Sequence, residues 1–92
     1  MAQALRSVPQ RHHALLAIPL PVDQARERVP RWIGELAADG PDRTLLRAAN
    51  DSPEWLALTL TMLDVDATLV DATPELRTEL TTLRRKLRRL AA

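Results

Sequence analysis

The residues of this chain best suited to chemistry form a basic run near its C-terminal end. The cations of this run are Arg84, Arg85, Lys86, Arg88 and Arg89. Cations at this density release counterions when they contact phosphates, so these residues are candidate nucleic-acid contacts. The alternative is that they complement a helix dipole and solvate an exposed face. The chain as a whole has a net charge of only +1 and lacks the strongly basic character of a dedicated nucleic-acid binder.

Metal binding and catalysis find little support in the sequence. His12 and His13 are neighbours on a predicted strand, so their side chains point to opposite faces and cannot share a metal ion. The chain has no cysteine, and neither Ser7 nor Ser52 lies in a nucleophile-elbow motif. The carboxylates are scattered over predicted turns and edges. We therefore expect no enzyme activity, no cofactor and no metal.

Composition indicates one soluble globular domain. The 92 residues are 46% hydrophobic and 27% charged, and the absence of cysteine fits a reducing compartment, so we expect a cytoplasmic protein. The longest apolar stretch, residues 14–22, contains two prolines and is shorter than the roughly 20 residues of a membrane span, so no membrane partner is expected. Residues 1–10 show no periodicity and are predicted to be an arm or linker before a domain over residues 11–92.

The first half of this domain reads as a strand, a helix and a hairpin. Residues 14–18 are apolar at both alternating sets of positions, which predicts a strand in the middle of a sheet. Helical spacing from Val22 to Trp32 predicts a short amphipathic helix, which Pro30 should end or kink. Residues 33–38 and 44–49 flank a turn-rich segment, and we interpret them as a β-hairpin.

The second half contains two helix-start signals. Ser52, Pro53 and Glu54 form the first, and it favours a helix although the residues that follow also alternate as in a strand. Trp55 is expected in core or interface packing. Residues 65–69 predict an edge strand, and a second start signal at residues 73–75 opens the last helix. The apolar residues of that helix are spaced 4, 3, 4, 3 along the chain: Leu76, Leu80, Leu83, Leu87 and Leu90.

The order of elements, β-α-β-β-α-β-α, predicts the α+β class and a ferredoxin-like βαββαβ sheet with an additional C-terminal helix. Both crossover helices should cover one face of the sheet, with the first strand central. The other face carries Leu15 and Ala17, and the arm, the last helix or another polypeptide could cover it. Five residues are therefore candidate interface residues in a homodimer or with another protein: Leu15, Ala17, Leu83, Leu87 and Leu90.

Three segments resemble a known family. They are Asp-Ser-Pro-Glu-Trp-Leu-Ala at residues 51–57, Met-Leu-Asp-Val-Asp-Ala at residues 62–67 and Thr-Pro-Glu-Leu at residues 73–76, before the basic helix. This order is similar to the C-terminal extension of WYL-domain transcriptional regulators, the DeoR-like or YafY-like proteins common in actinobacteria. The chain departs from the family pattern at Asp64, Ala67 and Thr73, where the family usually has Gly, Phe and Pro.

This resemblance implies a non-catalytic regulatory module. Regulators of this kind join a DNA-binding winged helix to a ligand-sensing WYL domain, and the extension helps in dimerisation and in transmitting the effector signal. Neither of those domains fits in 92 residues, so the chain resembles the last domain, either part of a longer regulator or encoded alone. The expected partner is a WYL-type regulator protomer or a second copy. The alternative is a free-standing module that contacts proteins or nucleic acid through its basic C-terminal helix.

Overall fold

A computed structural model describes residues 11–91, so the arm or linker predicted over residues 1–10 lies outside the described residues, as does Ala92. The elements follow in the order β1 (His12–Ile18), α1 (Val22–Arg28), β2 (Glu35–Ala38), β3 (Thr44–Asn50), α2 (Pro53–Thr61), β4 (Thr68–Ala72) and α3 (Pro74–Ala91). The chain is therefore α+β, with a four-stranded antiparallel sheet and a C-terminal helix, as the sequence predicts.

The strands lie in the order β2-β3-β1-β4, and every neighbouring pair is antiparallel. The predicted hairpin is confirmed, because β2 pairs with β3 around a turn in which Gly40 has a φ of 87°. At Gly34 the backbone runs so close to the carbonyl group of Arg47 that a side chain would collide with it. The central position of β1 and the edge position of β4 are also confirmed.

The start of α1 and the burial of Ala25 and Val29 agree with the prediction, but the position of Trp32 does not. The helix ends at Arg28, where the Val29 N–H donates to the carbonyl of Ala25, and Pro30 follows immediately. Because proline cannot continue the helical hydrogen bonding, Trp32 leaves the helical phase and is 63% exposed. Its predicted place on the apolar face is wrong, and Ile33 takes the buried position instead.

The ambiguous segment after Ser52 is a helix. The hydroxyl of Ser52 accepts a hydrogen bond from the Trp55 N–H at 3.1 Å, and Pro53 occupies the first turn. The buried face of α2 is formed by Leu56, Ala57 and Thr59. Trp55 points away from that face and is 53% exposed, so the expectation that it packs in the core is wrong. Its use in an interface stays a prediction.

The last strand begins later than the sequence indicates. β4 starts at Thr68, which pairs with Ala17, whereas the predicted strand begins at residue 65. β1, the strand that pairs with β4, is followed by Pro19, which has no N–H to donate to a further hydrogen bond between the two strands. Val65 therefore packs against the core from a connecting segment without belonging to the sheet.

The core lies on one side of the sheet. Alternate residues of β1 and β3 are buried there, and each helix adds residues to the same cluster. The cluster consists of Ala14, Leu16, Ile18, Ala25, Val29, Ile33, Leu46, Ala48, Leu56, Ala57 and Leu76. Within residues 11–91, all three helices thus contribute to the core on this side, and α3 packs on α2 and β1. The other side of the sheet carries the alternate, less buried positions.

Candidate interaction surfaces

The side of the sheet opposite the core is here named the open face. The strand register arranges its side chains in two rows across the four strands in the order β2, β3, β1, β4. One row is Glu35, Arg47, Leu15 and Asp71, and the other is Ala37, Leu45, Ala17 and Thr68. The open face therefore combines one charged row with one mostly apolar row. Leu15, Leu45 and Ala17 are half-buried, which is intermediate between a core position and a free surface position.

The charged row has an alternating pattern. Arg47 lies in β3, with Glu35 on one neighbouring strand and Asp71 two strands away on the other side, beyond Leu15. The ion pairs formed among residues 11–91 involve none of these three charges. Arg47, Asp71, His13 and Leu15 also line a shallow cleft of about 620 Å³ on this face. Arg47 and Asp71 thus flank Leu15 on the two strands beside β1, and Glu35 lies beyond Arg47.

Of the predicted interface residues, Leu15 and Ala17 lie side by side on β1, at the middle of the open face. The other three belong to α3 and lie on a different surface. Leu83 packs partly against the core, whereas Leu87 is 49% exposed and Leu90 is 83% exposed. The predicted set therefore divides between the open face and the end of α3.

The predicted nucleic-acid contacts all lie in the last turns of α3, which we name the basic end (residues 84–91). Four of them, Arg84, Arg85, Arg88 and Arg89, line one groove of about 460 Å³ together with Thr81. Lys86 is not among them, because a step of about 100° per residue carries it to another side of the helix. It lines a separate small cleft with Glu54 and Glu79. The structure thus brings four of the five cations together.

The N-termini of α2 and α3 meet near the start of β1. Nδ1 of His12 is buried, has no hydrogen-bond partner among residues 11–91, and lies 4.0 Å from Oε1 of Glu75. The hydroxyl of Thr73 accepts from the His13 N–H at 2.8 Å and so ties the start of α3 to β1. In the part of the chain that the structure describes, no group of three histidine or carboxylate side chains could hold a metal ion.

The fold increases the acidity of the Glu54 carboxyl group. Its own backbone N–H lowers the pKa of Glu54 most, followed by the Ser52 hydroxyl, which donates to Oε2 at 3.0 Å, and by the charge of His12. Its side chain is fully exposed, so this carboxylate caps a helix and does not belong to an enclosed site. We therefore interpret the Glu54 carboxylate as a group that stabilises the start of α2.

The sequence did not single out Arg47, Asp71, Glu35 or Leu45. The alternation of β3 contains the signal for two of them, since Leu45 and Arg47 alternate with the buried Thr44, Leu46 and Ala48. Both alternating sets contain leucine, however, so the pattern alone does not indicate which set is covered. The strand register places Arg47 opposite Glu35 and in the same row as Asp71, and the sequence alone does not specify that register.

Comparison with models of protein families, with curated proteins and with solved structures finds no match for this chain. Within residues 11–91, none of the helices has the length and apolar character that crossing a membrane requires.

Proposed function

We propose that this chain is a non-catalytic regulatory and dimerisation module of a WYL-type transcriptional regulator, and that two copies associate through the open face. The resemblance of residues 51–57, 62–67 and 73–76 supports the family, and the strand order β2-β3-β1-β4 supports the finer assignment of a ferredoxin-like βαββαβ sheet with an added helix. Such a regulator acts in the cytoplasm. The main support for a dimer is that the charged row of the open face is self-complementary.

Self-complementarity follows from the symmetry of a dimer. If a two-fold axis runs along β1 between two facing sheets, β1 lies over the partner copy's β1, and β3 lies over β4 of that copy. The row order is kept, so Arg47 of each copy faces Asp71 of the other while the two Leu15 side chains meet. The two Ala17 residues meet in the next row, and Leu45 lies over the Thr68 position.

The size of the open face indicates a weak association. Four strands spaced about 4.8 Å apart and about 20 Å long present about 400 Å² in projection, which is less than the roughly 800 Å² per partner of a standard interface. Apolar contacts at Leu15, Ala17 and Leu45 would supply the attraction, and the Arg47 and Asp71 pairs would set the register. We therefore expect a dimer that dissociates on dilution.

A charge-reversal series tests this proposal. Light scattering after gel filtration, over about a hundredfold range of concentration, is expected to give a mass rising from the 10.3 kDa of one chain towards twice that value. Arg47→Asp or Asp71→Arg alone should favour the monomer, because each brings like charges together, and the double variant should restore the dimer.

The control is Arg31→Asp, which makes the same charge change at an exposed position in the turn after α1. It should leave the dimer unchanged. A constant mass of one chain at every concentration contradicts the dimer. A dimer that survives both single reversals, or that the double variant does not restore, contradicts the pairing of Arg47 with Asp71.

A further inference from the structure

We propose that the arginine groove of the basic end, formed by Arg84, Arg85, Arg88 and Arg89, is a docking surface for the phosphate backbone of duplex nucleic acid. The four guanidinium groups line one groove, and no carboxylate of the described residues lines it with them. All four residues are exposed, and the ion pairs among residues 11–91 include none of them. This surface lies on a different element from the open face, so the inference is independent of the dimer.

The spacing of the arginines suits a phosphate backbone. From Arg84 to Arg89 the helix advances about 7.5 Å, at about 1.5 Å per residue. A DNA duplex carries about four phosphate charges over the same length of its axis. Each guanidinium can bind phosphate oxygens in a planar, two-pronged geometry that a lysine ammonium lacks. That number counts both strands, so four arginines on one helix face match about four phosphates when the helix lies across a groove of the duplex and contacts both backbones.

The surroundings of the groove favour a duplex over a single strand. Binding of unpaired bases requires aromatic side chains on which the bases stack, and the chain has only Trp32 and Trp55. Neither tryptophan lines the groove. Apart from Thr81, the residues that line the groove are arginines. Because arginines that contact phosphates position a duplex without reading its bases, the contact is expected to depend on charge and to tolerate any sequence.

The leucines of α3 favour nucleic acid over a lipid surface. At about 100° per residue, Leu87 and Leu90 lie on the side of the helix opposite the arginine groove. An anionic membrane that accepted the two exposed leucines would turn the four arginines away from its headgroups. A duplex contacts the arginines without needing the leucines.

The salt dependence of binding to a labelled duplex of about 20 base pairs tests this inference. Four phosphate contacts predict that the logarithm of the association constant falls with the logarithm of salt concentration with a slope of about −3.6. Between 50 and 200 mM salt the affinity should therefore fall by about a hundredfold. Two duplexes of unrelated sequence should bind equally, and a single strand of the same length should bind more weakly.

The double variant Arg85→Gln, Arg88→Gln should reduce the slope to about −1.8, since it removes two phosphate contacts. The matched control Arg28→Gln, Arg31→Gln removes the same charge from exposed positions at α1 and the turn after it, and should leave the slope unchanged. A thermal melt of each variant confirms that the fold is retained.

Three results would overturn the inference. The first is a slope near zero for the unmodified chain, and the second is an equal loss of slope in the double variant and its control. The third is preferential binding to single strands or to phosphatidylserine vesicles. Gel-filtration light scattering of the Arg85→Gln, Arg88→Gln variant distinguishes this inference from the proposed dimer. If the variant loses duplex binding but keeps its oligomeric mass, the arginines of the groove act in duplex binding and not in dimerisation.

Discussion

Leu45 and Leu46 are neighbours in β3, yet they belong to two different sides of the molecule. Leu46 is fully buried beneath the helices, and Leu45 is half-buried on the open face. The same contrast occurs along α3, where Leu76 is fully buried and Leu90 is 83% exposed. In both pairs the residue type and the local pattern are the same. The burial of these leucines thus depends on which element packs against them. We expect residues on the packed side to contribute most of the folding stability, and residues on the open face to be available for contacts with another molecule.

The largest effect is expected from a charge placed in the packed part of α3. Leu76→Asp puts an unpaired carboxylate at a fully buried position between α3 and the core, and should lower the free energy of unfolding by about 4 kcal/mol or more. Leu90→Asp makes the same change at an exposed position of the same helix and should cost less than about 0.5 kcal/mol. Urea denaturation followed by circular dichroism measures both. Similar losses for the two variants would mean that the leucine stripe docks along its whole length.

Truncation in β3 provides a smaller and finer test of the two sides. Leu46→Ala should cost about 2–5 kcal/mol, because it leaves a cavity in the core. Leu45→Ala should cost the monomer about 1 kcal/mol or less, since its side chain has lost only part of its contact with water. The comparison requires denaturation at a concentration where light scattering shows single chains. If Leu45→Ala were as damaging as Leu46→Ala, the open face would be a second core surface.

Ser52→Ala tests the helix start that turns the chain from β3 onto the packed side. Loss of the hydroxyl removes the acceptor for the Trp55 N–H and should cost about 1 kcal/mol. A Ser52→Ala chain with unchanged thermal stability would show that Pro53 and packing of Leu56 suffice to start α2.

The smallest effect concerns pH. Folding lowers the pKa of Glu54, chiefly through its own backbone N–H and then through the Ser52 hydroxyl, so the folded chain favours the carboxylate form. Its stabilising contribution is present above the ordinary glutamate pKa of about 4.3 and is lost as pH falls through the lower folded value. The difference in melting temperature between the wild type and Glu54→Gln should therefore shrink as pH is lowered from 7 to 3. A difference that grows in acid would contradict this assignment.

Several elements could be predicted because short stretches of chain specify them. Ser52 and Pro53 start α2, Pro30 prevents α1 from continuing, and a turn around Gly40 joins β2 to β3. The four arginines of the groove were also found from sequence, since they are close along one helix. The charged row of the open face could not be found in this way. Arg47 and Asp71 are brought into one row only by the pairing of β1 with both β3 and β4.

By itself the sequence determined the order of strands and helices, the positions where α2 and α3 begin, and the stripe of leucines on α3. Tertiary structure alone decided which leucines of that stripe are buried. α2 has 9 residues and α3 has 18, so at about 1.5 Å per residue α3 is about 13 Å longer than the helix it packs on. Leu76 meets the core, while Leu90 extends past it, because a periodic pattern shows which residues share a face but not how far the neighbouring element reaches.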